Sequence, residues 1–503
     1  MSAPAAVAET HISNVFLIGD RAYKLKKPVR TAFLDFTTPE ARRRDCEREV
    51  ELNRRFSPDV YLGVATILDA SGQPCDSVVV MKRMPTERRL ATLVRGGANV
   101  HDDLRRIARL LAAFHAGAVA SAQTADAATV SSVRANWEAN FEQMTGHYGG
   151  VLDRVQAERV ELLVRRFLSA RGHLFQDRIA DGMARDGHGD LKADDIFCLD
   201  DGPRILDCIE FDDRLRYGDV LADVAFLAMD LERLGSPGLA KEFMRLYAEF
   251  SGESHPDSLI DHYIAYRAHV RAKVACLRHE QGDRTAASEA RLLLGICLHH
   301  LEQSRVRLVL VGGLPASGKS TIAVGLTEKL GWTLFRSDEV RKDLAGLPHD
   351  APAPAAFGAG LYRPELVEAA YSELLRRAQL ALERGLSVVL DATWREESMR
   401  EAARRVGEAT VADLVELRCV APPVLLGRRL ATRRLALAHG SDATADVLAG
   451  MRLDPWPGAA EVNTSGRPQR SVASAAAVAA PERASPQARR RTTKPRVAPS
   501  QKG

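Results

Sequence analysis

The chain has 503 residues, 46% hydrophobic and 27% charged, with a net charge of +4. These are the proportions of an ordinary globular protein, long enough for two to four domains. No run of 18 or more apolar residues argues for a membrane span, and seven scattered Cys form no CxxC pair, which disfavours zinc and disulfides.

The N-terminus lacks the basic and apolar regions of a secretory signal, so with reduced thiols the expected location is cytoplasmic. "NVFLIGD" and "RAYKLKKPV" alternate as a hairpin about Gly19-Asp20. "TPEARRRDCEREVELNRRF" reads as a helix with Thr38 as N-cap and Pro39 at its first position. "SVVVMKRM" is a further strand. Beyond about residue 100 the pattern becomes helical, interrupted by a strand-turn-strand in "DIFCLDDGPRILDCIEF". Residues 1–300 are therefore expected to form one α+β domain.

Residues 305–465 have a different rhythm. "RVRLVLVGG", "GWTLFRSD", "GLSVVLDAT" and "ADLVELRCV" are four apolar strands separated by helix-length segments, as in a doubly wound parallel sheet. After the first of them, "GGLPASGKST" carries the P-loop spacing. There Gly313, Pro315, Ala316, Ser317, Gly318, Lys319, Ser320 and Thr321 would wrap the phosphates of a nucleotide. Lys319 would add a point charge and Ser320 a Mg²⁺ ligand. Asp391 ends a strand where a Walker B acid would bind the metal. Asp338 ends another, with Arg341 one turn on, and the two suit deprotonation and orientation of a hydroxyl acceptor; helix capping competes for Asp338. Arg429 and Arg433 share a helix face before "HGSDATADVL", where they form either a phosphoryl clamp on a lid or a solvated basic face.

From residue 467 the chain is rich in Ala, Pro, Ser and Arg. Nine Lys/Arg and one acid give this stretch +8 and leave about −4 for residues 1–466. It is expected to be a disordered tail over 466–503, solubilising in the first instance and a contact for nucleic acid in the second.

In "RDGHGDLKADDIF", His188-Gly189-Asp190 reads as a phosphoryl-transfer loop, and five residues after the acid stands Asp195. Lys24 and Lys26 point to one strand face. On a helical wheel starting at Cys46, the apolar face of residues 41–56 centres at about 320° and Glu49 falls at about 300°, inside it. A buried acid needs a partner, so Glu49 is expected to pair with a lysine of that face, Lys24 being favoured over Lys26 by the x-Ala-x-Lys pattern of "RAYK".

Two resemblances follow. The motifs of 305–465, with "SDEVRKDL" and "VVLDATW", are similar to P-loop kinases of the polynucleotide kinase, zeta-toxin and gluconate kinase type. Through "AYKLKKPV", "CEREVELNRRF", "DCIEF" and "DVAFLAMDL", residues 1–300 resemble the aminoglycoside phosphotransferase-like family of protein-kinase-like, two-lobed fold, in the branch fused to a P-loop kinase in bacteria. The resemblance implies Asp190 as catalytic base, Asp195 at the position of a metal-binding Asn, and Glu210 of "IEF" as a second metal ligand, with Asp207 as the alternative. It implies ATP and Mg²⁺ as cofactors and a small-molecule hydroxyl acceptor. A nucleotide-binding regulatory protein and a nucleic-acid 5′-hydroxyl kinase are the alternatives.

Overall fold

The computed structural model describes residues 6–9, 12–30, 35–349, 360–436 and 453–480. The chain forms two compact units. One comprises the chain up to Glu161 with Phe175–His255 and Ile260–Leu301; the other comprises Leu162–Leu174, Pro256–Leu259 and the chain from Glu302.

The first unit begins with a five-stranded antiparallel sheet of β1 (Ala6–Glu9), β2 (Ser13–Ile18), β3 (Arg21–Lys26), β4 (Tyr61–Leu68) and β5 (Pro74–Lys82), ordered β1-β2-β3-β5-β4. The β2–β3 turn places Gly19 at φ 59°, in the left-handed region that glycine enters at little cost. Helix Pro39–Asn53 begins as its residues dictate: the Thr38 side chain accepts from the Ala41 N–H and Pro39 opens the first turn. It lies on the sheet through a core of Cys46, Val50, Val60, Tyr61 and Val79.

The rest of this unit is mainly helical. Two short antiparallel pairs interrupt it: β6 (Ala184–Asp186) with β9 (Tyr217–Asp219), and β7 (Ile196–Leu199) with β8 (Gly202–Ile205). The second pair is the strand-turn-strand read from the sequence. It brings residues 188–195 and 207–210 together at the open end of one hairpin.

The second unit holds a parallel sheet of β10 (Arg307–Gly312), β11 (Thr333–Arg336), β12 (Val388–Asp391), β13 (Asp413–Val420) and β14 (Ala460–Asn463), ordered β11-β12-β10-β13-β14. Side chains alternate between its two faces. Leu308, Leu310, Val388 and Leu390 pack with Leu374, Ala378 and Leu382 of helix Pro364–Glu383. Val309, Val311 and Val389 pack with Ile322 and Leu326 of helix Lys319–Leu330 on the other face.

The expectation of a structureless segment from 466 needs correction. Residues Pro468–Ala479 form a helix whose Ala475, Ala476 and Ala479 join the core beside helix Lys319–Leu330. Small side chains suffice there because Gly325 lets the two helices approach closely: a Cβ at 325 would overlap the Val472 side chain. The remaining tail, 481–503, lies outside the described residues. Among the described residues no helix is long and apolar enough to cross a membrane.

Candidate phosphoryl-transfer sites

In the first unit, β3 and the buried face of helix Pro39–Asn53 bring Lys24 and Glu49 together, Nζ to Oε1 at 2.9 Å, with the Glu49 side chain fully buried. Lys24 also reaches Asp207 Oδ1 at 2.7 Å. Burial opposes its charge, but Asp207 and Glu49 outweigh this and raise its pKa well above that of a free lysine. Lys26 lies on the same face and is buried among Glu49 Oε2 at 2.6 Å, Asp45 at 2.7 Å and Glu210.

Glu210 therefore does not stand beside Asp195. Its partner is Lys26, and burial pushes its carboxyl up to about 7. Asp207 takes the place expected of it: single oxygens of Asp190, Asp195 and Asp207 lie within 4.8 Å of one another, close enough to share a metal ion. The reason is the backbone at Asp207, which adopts φ 65° and turns the chain so that residue 207, not 210, enters the group. A non-glycine residue held in this region stores strain, and such strain collects at functional sites. Its N–H donates to the Tyr61 hydroxyl at 3.2 Å. Lys24 is the main cause holding the Asp207 carboxyl below the usual range.

The loop bearing Asp190 is fixed from below. Asp223 Oδ2 and Oδ1 accept from the backbone N–H groups of His188 at 2.7 Å and Gly189 at 2.8 Å, and Oδ2 pairs with His115 at 3.2 Å. Gly189 has φ 88°, and a Cβ there would meet Leu215 O at 2.9 Å, so only glycine fits. The buried His188 ring bonds Leu206 O at 3.0 Å, which ties the loop to the hairpin carrying Asp207. Asp195 is pushed up to about 7, chiefly by burial, with Lys192 working against that shift. Lys192 Nζ lies 2.8 Å from Asp190 Oδ2 and 3.1 Å from Asp195 Oδ2. From the sequence Lys192 and Asp223 carry no assigned role, and His115 reads as a core or surface histidine. For Lys192 the available signal was its spacing, two residues beyond the candidate base.

In the second unit, the P-loop joins β10 to helix Lys319–Leu330. Gly313 is at φ 139°, Ala316 at 62° and Gly318 at 88°, and Lys319 is buried. The loop is closed at one side by Thr464, whose hydroxyl donates to Ser317 O at 2.6 Å. Pro315, Ala316 and Ser317 are buried, Ser320 is half-buried in the first turn of the helix, and Thr321 is exposed. Asp391 pairs with Val311 and Arg336 across the sheet, at the carboxyl edge beside the loop. Its Oδ2 accepts from Arg336 Nε at 3.4 Å, while its Oδ1 and the Ser317 Oγ are buried without a hydrogen-bond partner. Unmatched buried oxygens at the end of a P-loop suit a metal-bound phosphate.

Asp338 is the second residue of helix Ser337–Leu344, not its cap, and its carboxylate pairs with Arg341. Arg429 donates to Ala316 O at 3.1 Å and Thr464 O at 2.6 Å, so it braces the P-loop backbone. The Arg433 side chain and "HGSDATADVL" lie outside the described residues. A cavity of about 520 Å³ flanks the loop, with Ala316, Gly318, Arg429, Thr464 and Pro468 in its walls.

A family model described as "Phosphotransferase enzyme family" matches residues 17–259, and one described as an AAA domain matches 308–454. Over 471 residues the chain is 44% identical to uncharacterized proteins of Mycobacterium tuberculosis and Mycobacterium bovis, spanning 93% of this chain and 94% of each relative. Among solved structures, a choline/ethanolamine kinase family protein from Mesorhizobium loti is 13% identical, covering 59% of this chain and 92% of that one, with a TM-score of 0.37. The Mycobacterium tuberculosis APS kinase in complex with AMPPNP and APS is 20% identical, covering 34% and 95%, with a TM-score of 0.27.

Proposed function

The chain belongs to the family that joins a phosphotransferase-enzyme-family domain to an AAA-type P-loop domain, and we propose that each module moves the γ-phosphoryl group of ATP to a hydroxyl of a small-molecule acceptor. The observation that carries this reading is the convergence of Asp190, Asp195 and Asp207 beside Lys24, which is itself held by Glu49.

In the first module Asp190 accepts the acceptor's hydroxyl proton. The acceptor oxygen forms the new bond to phosphorus, and the bond from phosphorus to the bridging oxygen breaks with its electron pair left on ADP. Lys24 neutralises the phosphates, and Glu49 keeps that lysine extended along the sheet. Asp195 and Asp207 would hold Mg²⁺, which when bound supplies neutralisation of phosphate charge. Asp223 and His115 keep the Asp190 loop in place.

In the second module the P-loop amides and Lys319 receive the phosphates, and Ser320 and Asp391 would hold Mg²⁺. Asp338 takes the acceptor proton, with Arg341 fixing its carboxylate. Arg429 steadies the P-loop from the wall of the flanking cavity, and that cavity has room for a nucleoside. Arg433 is proposed as a further phosphoryl contact.

The test is ATP consumption and product formation across a library of hydroxyl-bearing metabolites, in wild type, Asp190→Ala and Lys319→Ala. Each substitution is expected to abolish product from its own module. Product formation unchanged in both variants would sink the two-kinase reading; loss in Lys319→Ala alone would leave the first module a binding domain.

A further inference from the structure

The acid at 195 is matched by a base. Lys192 Nζ spans Asp190 Oδ2 at 2.8 Å and Asp195 Oδ2 at 3.1 Å, while Lys24 lies 2.7 Å from Asp207. The site thus holds three carboxylates with a lysine at either end, Lys192 on Asp190 and Asp195 and Lys24 on Asp207. The Lys192 side chain is mostly buried, at 20% exposure, and Asp195 is comparably covered at 25%, so water screens the pair only in part.

The formal charges give the arrangement its meaning. Three aspartates and two lysines sum to −1. With a neutral amide at 195 and a neutral side chain at 192, the remaining Asp190, Asp207 and Lys24 would also sum to −1. We propose that Lys192 and Asp195 act as one unit, a charge-neutral replacement for an amide, in which Lys192 cancels the Asp195 charge toward the metal and nucleotide and holds one oxygen of Asp190. Lys192 is then a positioning residue for the phosphoryl-transfer centre, and Asp195 is compatible with a working site because Lys192 accompanies it. The spacing supports this. Lys192 is the residue before the single 3₁₀ turn Ala193–Asp195, and that turn sets its side chain between two carboxylates three residues apart in sequence on one side and two on the other.

This inference rests on the first module binding a metal–nucleotide complex. The experiment is Mn²⁺ binding with AMPPNP, followed by electron paramagnetic resonance, on the full chain carrying Lys319→Ala to silence the P-loop. Lys192→Met leaves an uncancelled carboxylate and should tighten Mn²⁺ roughly tenfold. Asp195→Asn leaves an uncancelled ammonium and should weaken it roughly tenfold, whereas Lys192→Arg should keep the parent affinity. The double variant Lys192→Met/Asp195→Asn should return to within about threefold of the parent. A residue that merely supports the loop would shift both single variants the same way and make the double worse. That pattern overturns the inference, and Asp195→Asn with the double decides it even if Lys192→Met folds poorly. A parent chain that binds no Mn²⁺–AMPPNP overturns the functional reading of this module together with the inference; binding without opposed shifts overturns the inference alone.

Discussion

Glu49 is shared: its Oε1 lies 2.9 Å from Lys24 and its Oε2 2.6 Å from Lys26, with no exposure of its side chain to solvent. Removing the carboxylate leaves two buried ammonium groups short of a counter-charge. Glu49→Gln should cost about 3–5 kcal/mol, the penalty of breaking a buried ion pair by deleting one partner. Glu47→Gln on the exposed side of the same helix, where Arg43 stands 3.8 Å away, should change stability by less than about 0.5 kcal/mol. Denaturant unfolding of the two variants against wild type measures the contrast.

Asp207 and Glu210 separate two effects that their sequence spacing confounds. Asp207 faces Asp190 and Asp195, so Asp207→Asn should raise the Mg²⁺ concentration needed for nucleotide binding by the first module. Glu210 neutralises the buried Lys26, so Glu210→Gln should lower the melting temperature and leave the Mg²⁺ requirement of the folded protein unchanged. Nucleotide-binding titrations in varied Mg²⁺, beside thermal melts, distinguish the two. A Mg²⁺ shift in Glu210→Gln as large as in Asp207→Asn would return the metal to 210.

Much of this site was legible from the chain. The wheel placed Glu49 on the buried face because an acid inside an apolar stripe has to be paired, and the hairpin and the Thr38 cap followed from residues that act locally. The four strands of 305–465 were legible because each is an apolar run ending at a turn. Which of Asp207 and Glu210 enters the site was not, since it depends on a left-handed Asp207 that no glycine announces. Helix Pro468–Ala479 was hidden for a different reason. Its buried face is made of alanine and serine, which read as low complexity until a glycine on the partner helix allows close packing. The fifth strand, Ala460–Asn463, is four residues long and has one fully covered side chain, Val462, too little to register as a pattern.

Catalysis by Asp190 predicts a particular split. Asp190→Asn keeps the shape of the side chain and its contact region but cannot accept a proton, so turnover by the first module should fall about 10²–10⁴-fold. The KM for ATP should stay near the wild-type value, because Asp190 is not placed on the nucleotide. Lys24→Met should instead raise the KM for ATP as well as lowering turnover. Steady-state kinetics on the acceptor identified by the library screen gives both numbers; a pure KM effect in Asp190→Asn would remove it as the base.

A pH dependence of stability is built into the first unit at His300. Its Nδ1 lies 2.6 Å from Asp261 and its Nε2 3.0 Å from Glu232. Burial favours the neutral ring, but the two carboxylates outweigh it and raise the pKa to about 9. The folded state thus binds the proton more tightly than the unfolded chain, whose histidine titrates at about 6.5. The stabilisation, about 3 kcal/mol by linkage, is present in full below pH 6.5 and is lost as pH rises through 9. Unfolding free energies of wild type and His300→Gln should differ most at pH 6 and converge above pH 9.5. A gap that widens with pH would contradict the assignment.

Truncation tests where the second unit ends. The helix Pro468–Ala479 covers helix Lys319–Leu330, the element whose first turn carries Lys319 and Ser320, and the Ser471 hydroxyl donates to Asn463 O at 2.7 Å. A chain ending at 480 should melt as wild type does and bind ATP at the P-loop with unchanged affinity. A chain ending at 466 removes Ala475, Ala476 and Ala479 from the core they share with Ile322, Ala323 and Leu326 and should lose about 2–4 kcal/mol of stability, the scale of exposing a few buried apolar side chains, with weaker ATP binding in consequence. Gly325→Val in the full-length chain should reproduce part of that loss, because its side chain occupies the space of Val472. Equal stability of the 466 and 480 truncations would show that the helix contributes nothing to the P-loop unit.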